Sequence, residues 1–210
     1  MRTDSRAIWA VLGLVAFGTG AISNERERAI VAPGVPVHFT EGSIHGFLEL
    51  TTEAGKFLAR GDLLQVARNG GVESRMVFHF GNGSVFEESV TFTEHDVFTM
   101  ETYHLIQSGP AFANDLDASL SRTGSYVVRT KSHKDGTENE YAGSIAMPGD
   151  VYNGMVITVA KNSPADRTTL VHAVAFLPRP RLVALELTPS GAQRVQLGQH
   201  EESGVSFTVK

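Results

Sequence analysis

VESRMVFHFGNGSVFEESVTFTEHDVFTMETYHLIQ, residues Val72–Gln107, decides the fold. Its first two runs carry apolar residues mainly at even positions: Met76, Phe78 and Phe80, then Phe86, Val90 and Phe92. A two-residue period marks one buried face of a sheet. Between the runs, Gly81-Asn82-Gly83 suits a three-residue hairpin loop with Gly83 in the left-handed region. Such a loop sets Phe80 opposite Ser84, so the even positions of both strands share a face. A third run extends that face through Phe98, Met100 and Ile106. The stretch predicts an antiparallel sheet with an aromatic interior, and it names no reaction.

Outward from this hairpin the same grammar recurs. Val37–Thr40, Ile44–Thr52, Gly55–Arg60 and Asp62–Arg68 precede it as short extended runs, with Asn69-Gly70-Gly71 as the turn into it. Leu116–Arg122, Ser125–His133 and Thr137–Ile145 follow. The last two are joined by the turn Lys134-Asp135-Gly136, and their charges suit a sheet edge. Val151, Met155, Val156 and Val159 have helical spacing, and Pro148 or Asp150 is placed to start a short helix. Strands resume at Thr169–Leu177, Arg181–Thr188, Arg194–Leu197 and Val205–Val209. The predicted fold is all-β and mainly antiparallel: a curved sheet forming a barrel or an open half-barrel, with one short helix.

Arg2 and Arg6, the apolar run Ala7–Ile22 and the small residues Ala21 and Ser23 have the three-part pattern of a secretory signal. The expected organisation is a signal peptide over 1–23, a flexible leader over 24–33 and a single β-rich domain over 34–210. The chain stops in mid-strand, which suggests a piece of a longer protein. The expected location is periplasmic or secreted. Membrane contact is expected only through Ala7–Ile22, if that run stays uncleaved.

The 210 residues include no cysteine, which excludes disulfides, thiol catalysis and thiolate metal sites. A net charge of −5 without a basic block argues against nucleic acid as a partner. Nucleophile elbow, phosphate loop, dinucleotide fingerprint and zinc-protease motif are all missing, and no cofactor is expected. Asn82-Gly83-Ser84 fits a glycosylation acceptor, but its use as a turn explains it. Glu94-His95-Asp96 has no metal-site spacing and is expected to be a solvated corner, with no metal. The eight histidines are scattered.

Two polar residues break the apolar face. Glu88 lies between Phe86 and Val90, and His104 between Met100 and Ile106. A carboxylate taken into an apolar interior must be paired or protonated, so Glu88 and His104 are a candidate acid–base couple. A wet sheet rim, with Glu88 pointing to solvent, or a purely structural pair is the plainer explanation of them. Phe78, Phe86, Phe92, Met100 and Tyr103 are the candidate ligand-binding residues of a cavity inside the curved sheet. Tyr103, Phe112, Tyr126, Tyr152 and Phe176 are a further aromatic set that either lines such a cavity or fills the core.

The segments YHLIQSGPAF (Tyr103–Phe112), MPGDVYNGMVITVAKN (Met147–Asn162) and VAFLPRPRLVALEL (Val174–Leu187) resemble members of an uncharacterised bacterial secreted family, a likeness that implies no activity. More distantly, the order of strands, Pro/Asp-led helix and strands is similar in topology to periplasmic half-barrels such as the Lol lipoprotein carriers. The expected function is that of an extracytoplasmic, non-enzymatic β-protein binding or carrying an apolar or lipid-like ligand. An isomerase- or lyase-like enzyme using Glu88 and His104 is one alternative, and a surface protein recruiting partners through edge strands is another.

Overall fold

The computed structural model describes residues 34–210 apart from 53, 69, 198 and 199. The signal predicted over 1–23 and the leader over 24–33 lie outside the described residues. The central hairpin forms in the predicted register. Strands β3 (Gly71–Phe80) and β4 (Val85–Glu94) pair with Phe78 opposite Phe86, Met76 opposite Glu88 and Val72 opposite Phe92. Phe80 N–H donates to Ser84 O at 2.9 Å, closing the three-residue loop, and Gly83 has φ +85°. Asn82 Oδ1 accepts from Ser84 N–H at 3.1 Å, so the Asn82 side chain serves the turn itself. Phe78 and Phe92 are buried, whereas Phe80 and Phe86, on the same face, are only half-buried.

This hairpin sits within an eight-stranded antiparallel meander. The other strands are β1 (Ile44–Thr51), β2 (Phe57–Arg68), β5 (Phe98–Ser108), β6 (Asn114–Ser121), β7 (Ser125–Ser132) and β8 (Glu138–Ser144). The sheet is open, with β1 and β8 as its edges. The predicted edge hairpin is indeed at an edge, its outer side laced by Arg129–Glu140 and Lys131–Glu138 ion pairs at 2.9 Å. A short helix, α1 (Val156–Asn162), leads to a second antiparallel sheet of β9 (Thr169–Ala175), β10 (Arg181–Leu197) and β11 (His200–Val209). Over the described residues the protein is therefore a curved, open half-barrel with one helix and a three-stranded sheet.

Several boundaries differ from the expectation for identifiable reasons. Val37–Thr40 is no strand; the chain beside it forms an isolated bridge between Pro36 and Val97, and Val37 N–H donates to Asp96 O at 3.0 Å. β2 is continuous through Gly61, which pairs with both Leu48 and Phe78. β10 runs through Pro189 because β9 pairs only as far as Leu187; beyond it that side of β10 faces no strand and needs no N–H. Ile106 faces outward, opposite Glu87, instead of continuing the interior row. A bulge causes this: Thr91 pairs with Thr102 but Phe92 with Met100, so Glu101 is an extra residue and inward positions switch from even to odd. The helix begins well after Pro148 and Asp150. Its N-cap is Met155, which makes no side-chain cap bond.

The concave face is filled on one half only. Under β5–β8, the segment Val151–Met155, helix residue Val159 and β9–β10 supply Val171, Val174, Phe176 and Leu187 to a closed core with Phe98, Met100, Tyr103, Leu116, Leu120 and Val128. Under β1–β4 a smaller cluster of Leu50, Ala59, Met76 and Phe78 has only Ile157 of the helix laid against it.

Candidate functional site

The unfilled half of the concave face is a cavity of about 490 Å³. Its wall follows from register. Gly46, Leu63, Met76 and Glu88 form one row across β1–β4, Leu48, Gly61, Phe78 and Phe86 a second, and Ile44, Gln65 and Ser74 a third. Helix α1 forms the opposite wall with Val156, Ile157, Thr158 and Lys161. Gly61 has no Cβ because the Phe78 ring occupies that place; an added Cβ would lie 2.7 and 2.9 Å from two of its ring carbons. Ile44 and Phe47 line the cavity at edge strand β1 and are 46% and 76% exposed, which leaves apolar surface facing water.

A latch spans the cavity between sheet and helix. Gln65 Nε2 donates to Glu41 Oε2 at 2.9 Å, and Lys161 Nζ lies 3.2 Å from Glu41 Oε1. The strap before β1 is fixed by two further side chains: Asn162 Oδ1 accepts from His38 and Phe39 N–H at 2.9 and 2.8 Å, and Tyr152 Oη accepts from Val35 N–H at 2.7 Å.

Glu88 sits in this wall between Met76 of β3 and Leu105 of β5. Tyr103 Oη donates to Glu88 Oε2 at 2.9 Å. Loss of hydration outweighs that bond and pushes the carboxyl up to about 7. Its sequence neighbour behaves oppositely. Glu87 faces outward, binds Arg75 through two hydrogen bonds of 2.6 and 2.9 Å, and is held below the usual carboxyl range mainly by them. One step of strand alternation thus separates an ordinary surface carboxylate from one that is half protonated near neutrality.

The expected couple of Glu88 with His104 does not form. His104 pairs across the sheet with Ser89, on the convex face, and its Nε2 lies 2.9 Å from Asp117 Oδ1 in an exposed ion pair. The bulge at Glu101 is the reason, since it turns Tyr103 inward and His104 outward. Without His104 the acid–base reading loses its second group, and Tyr103 takes that place as a hydrogen-bond donor. Burial first, then the Glu88 charge, pushes its phenol well above the ordinary value.

Of the candidate ligand-binding residues, Phe78 and Phe86 line the cavity. Phe92 and Met100 belong to the filled half. Tyr103 meets the cavity only through Glu88; its ring stacks on Phe176 at 6.0 Å and 4°. None of Tyr103, Phe112, Tyr126, Tyr152 and Phe176 lines the cavity. Phe112 instead packs edge-on against Phe80 at 5.7 Å. Residues missed by the sequence reading include Glu41, Gln65 and Lys161, whose convergence depends on long-range packing that no local pattern records.

A second buried carboxylate, Asp150, was expected at a helix start. It is 1% exposed and lies 2.8 Å from His172 Nδ1, with Oδ1 lacking a hydrogen-bond partner. His172 N–H also donates to Asp150 O at 2.9 Å, so the pair clips the loop before α1 to β9. No group of three or more potential metal ligands converges among the described residues, and His95 and Asp96 are exposed. No helix of the described residues is long and apolar enough to cross a membrane.

No family model, curated protein or solved structure matches the chain.

Proposed function

We propose that the protein is an extracytoplasmic, non-enzymatic carrier or binder that takes an apolar, lipid-like ligand into the cavity between β1–β4 and α1. The observation that carries this reading is the half-filled concave face. One half is packed to a closed core, while the other keeps about 490 Å³ of mostly apolar space, within the range of small-molecule sites at about 300–1,000 Å³. Close packing is the rule in protein interiors, so a void of this size beside exposed Ile44 and Phe47 fits a site better than a defect. The apolar N-terminal run supports export. Glu88, whose one side-chain partner among the described residues is the Tyr103 hydroxyl and not a histidine, supports binding over catalysis.

The test is native mass spectrometry of the protein purified from cells, together with a Leu63→Trp variant that fills the cavity from β2. Co-purifying apolar adducts on the wild type and their loss in the variant are expected. An adduct-free wild type that also takes up no added long-chain amphiphile would overturn the reading.

A further inference from the structure

A carboxyl in an apolar cavity wall calls for an occupant of matching chemistry. Glu88 accepts one hydrogen bond among the described residues, on Oε2, and the surface it retains borders the cavity. The cavity is lopsided in charge. Glu41, Glu49 and Glu88 line it against the single cation Lys161, and Lys161 is already engaged by Glu41. Around Glu88 itself, β3 offers Met76, β5 offers Tyr103 and Leu105, and β1, the strap and α1 offer Glu49, Glu41 and Lys161 respectively. No cation from the described elements reaches it within 4 Å, and Tyr103 can donate only one proton.

We propose that Glu88 is the polar anchor of the cavity, and that the ligand is a single-chain amphiphile with a protonated amine head: the ammonium meets the free oxygen of Glu88, and the alkyl chain lies along Met76, Phe78, Leu48 and Leu63. This deepens the carrier reading and rests on it. An ammonium supplies the counter-charge and the donors that Glu88 lacks. A fatty acid would instead bring a fourth carboxyl group to a wall that already holds three. Binding of the cation selects ionised Glu88, so affinity falls as pH drops. With the carboxyl at about 7, binding at pH 6 is about tenfold weaker than at pH 8. A primary alkylamine resembles a lysine head and stays protonated throughout that range, so the change belongs to the protein.

The experiment is isothermal titration of the protein with decylamine, decanol and decanoate at pH 6 and pH 8, repeated with Glu88→Gln. The substituted amide keeps an oxygen that accepts from Tyr103, so the variant retains the cavity and loses only the charge. Expected are tightest binding of decylamine, a tenfold gain for it alone from pH 6 to pH 8, and loss of both the preference and the gain in Glu88→Gln. Equal binding of all three probes, unchanged by the substitution, would overturn the anchor while leaving the apolar carrier standing. Preference for decanoate would also overturn it. Binding of none of the three would remove both readings.

Discussion

Replacing Glu88 by Gln changes the pH dependence of stability in a way no surface carboxylate would. The ordinary carboxyl value is 4.5 and Glu88 is pushed to about 7, chiefly because burial disfavours its charge. Folding therefore takes up a proton between about pH 4.5 and about pH 7. Wild-type stability is greatest below that window and falls as pH rises through it, then levels off. The gap corresponds to about 3 kcal/mol at about 1.4 kcal/mol per pH unit. Access of water to the cavity trims this to about 2–3 kcal/mol. A glutamine side chain carries no proton to lose and preserves the Tyr103 bond, so Glu88→Gln gains on the wild type by that amount between pH 4.5 and pH 8. Urea denaturation at both values measures it. With an m-value of about 2 kcal/mol/M, the midpoint difference between the two proteins should change by about 1–1.5 M. Midpoints that shift in parallel would show that Glu88 titrates like a solvent-exposed carboxyl, and would place it outside the apolar wall.

Other substitutions probe the frame around the cavity. Gly154→Ala should cost about 2 kcal/mol or more in thermal or urea unfolding, because Gly154 has φ +71° and an added Cβ would meet the Tyr103 ring at 3.0 Å and Val90 at 3.1 Å. His172→Ala should cost about 3 kcal/mol in the same assay, since it leaves the buried Asp150 carboxylate without its partner. Phe78→Ala, in the buried floor, should cost about 3–4 kcal/mol. Phe86→Ala, half-buried at the cavity, should cost less and weaken amphiphile uptake more, a contrast read by unfolding and titration together. His79→Ala, on the exposed face, should stay within about 0.5 kcal/mol.

The hairpin was legible because three local signals agreed: alternation from Met76 to Phe92, a three-residue glycine loop and the resulting register. The same alternation placed Glu88 inside correctly. It misplaced His104 and Ile106 because a single extra residue, Glu101, reverses inward and outward positions on β5. That bulge left a trace in the sequence, since Met100 and Tyr103, both large and inward, are separated by two residues instead of one. The cavity was not legible in the same way. Alternation says which residues face the interior, but not how much material arrives from elsewhere to cover them. That quantity is set by the second sheet and by the loop that Asp150 and His172 clip to β9. Together they bring Phe176, Val174 and Leu187 under β5–β8 and no apolar side chain larger than Ile157 under β1–β4.

This asymmetry also explains why aromatic content was a poor guide to the site. Tyr103, Tyr126, Tyr152 and Phe176 crowd the half of the face that must carry the fold, where stacked rings and the Tyr152 bonds to Val35 and Phe98 join sheet, helix segment and strap. The cavity half is lined more by Leu, Ile and Met, and by glycines at Gly46 and Gly154. Small and flexible side chains leave room and adapt to an alkyl chain, whereas packed aromatics hold one arrangement. Tyr103 joins the two halves: its ring is part of the rigid core, and its hydroxyl presents Glu88 to the cavity at a fixed position. A polar anchor held by the rigid half, facing an apolar space in the adaptable half, is an arrangement suited to orienting an amphiphile by its head while tolerating variation in its tail.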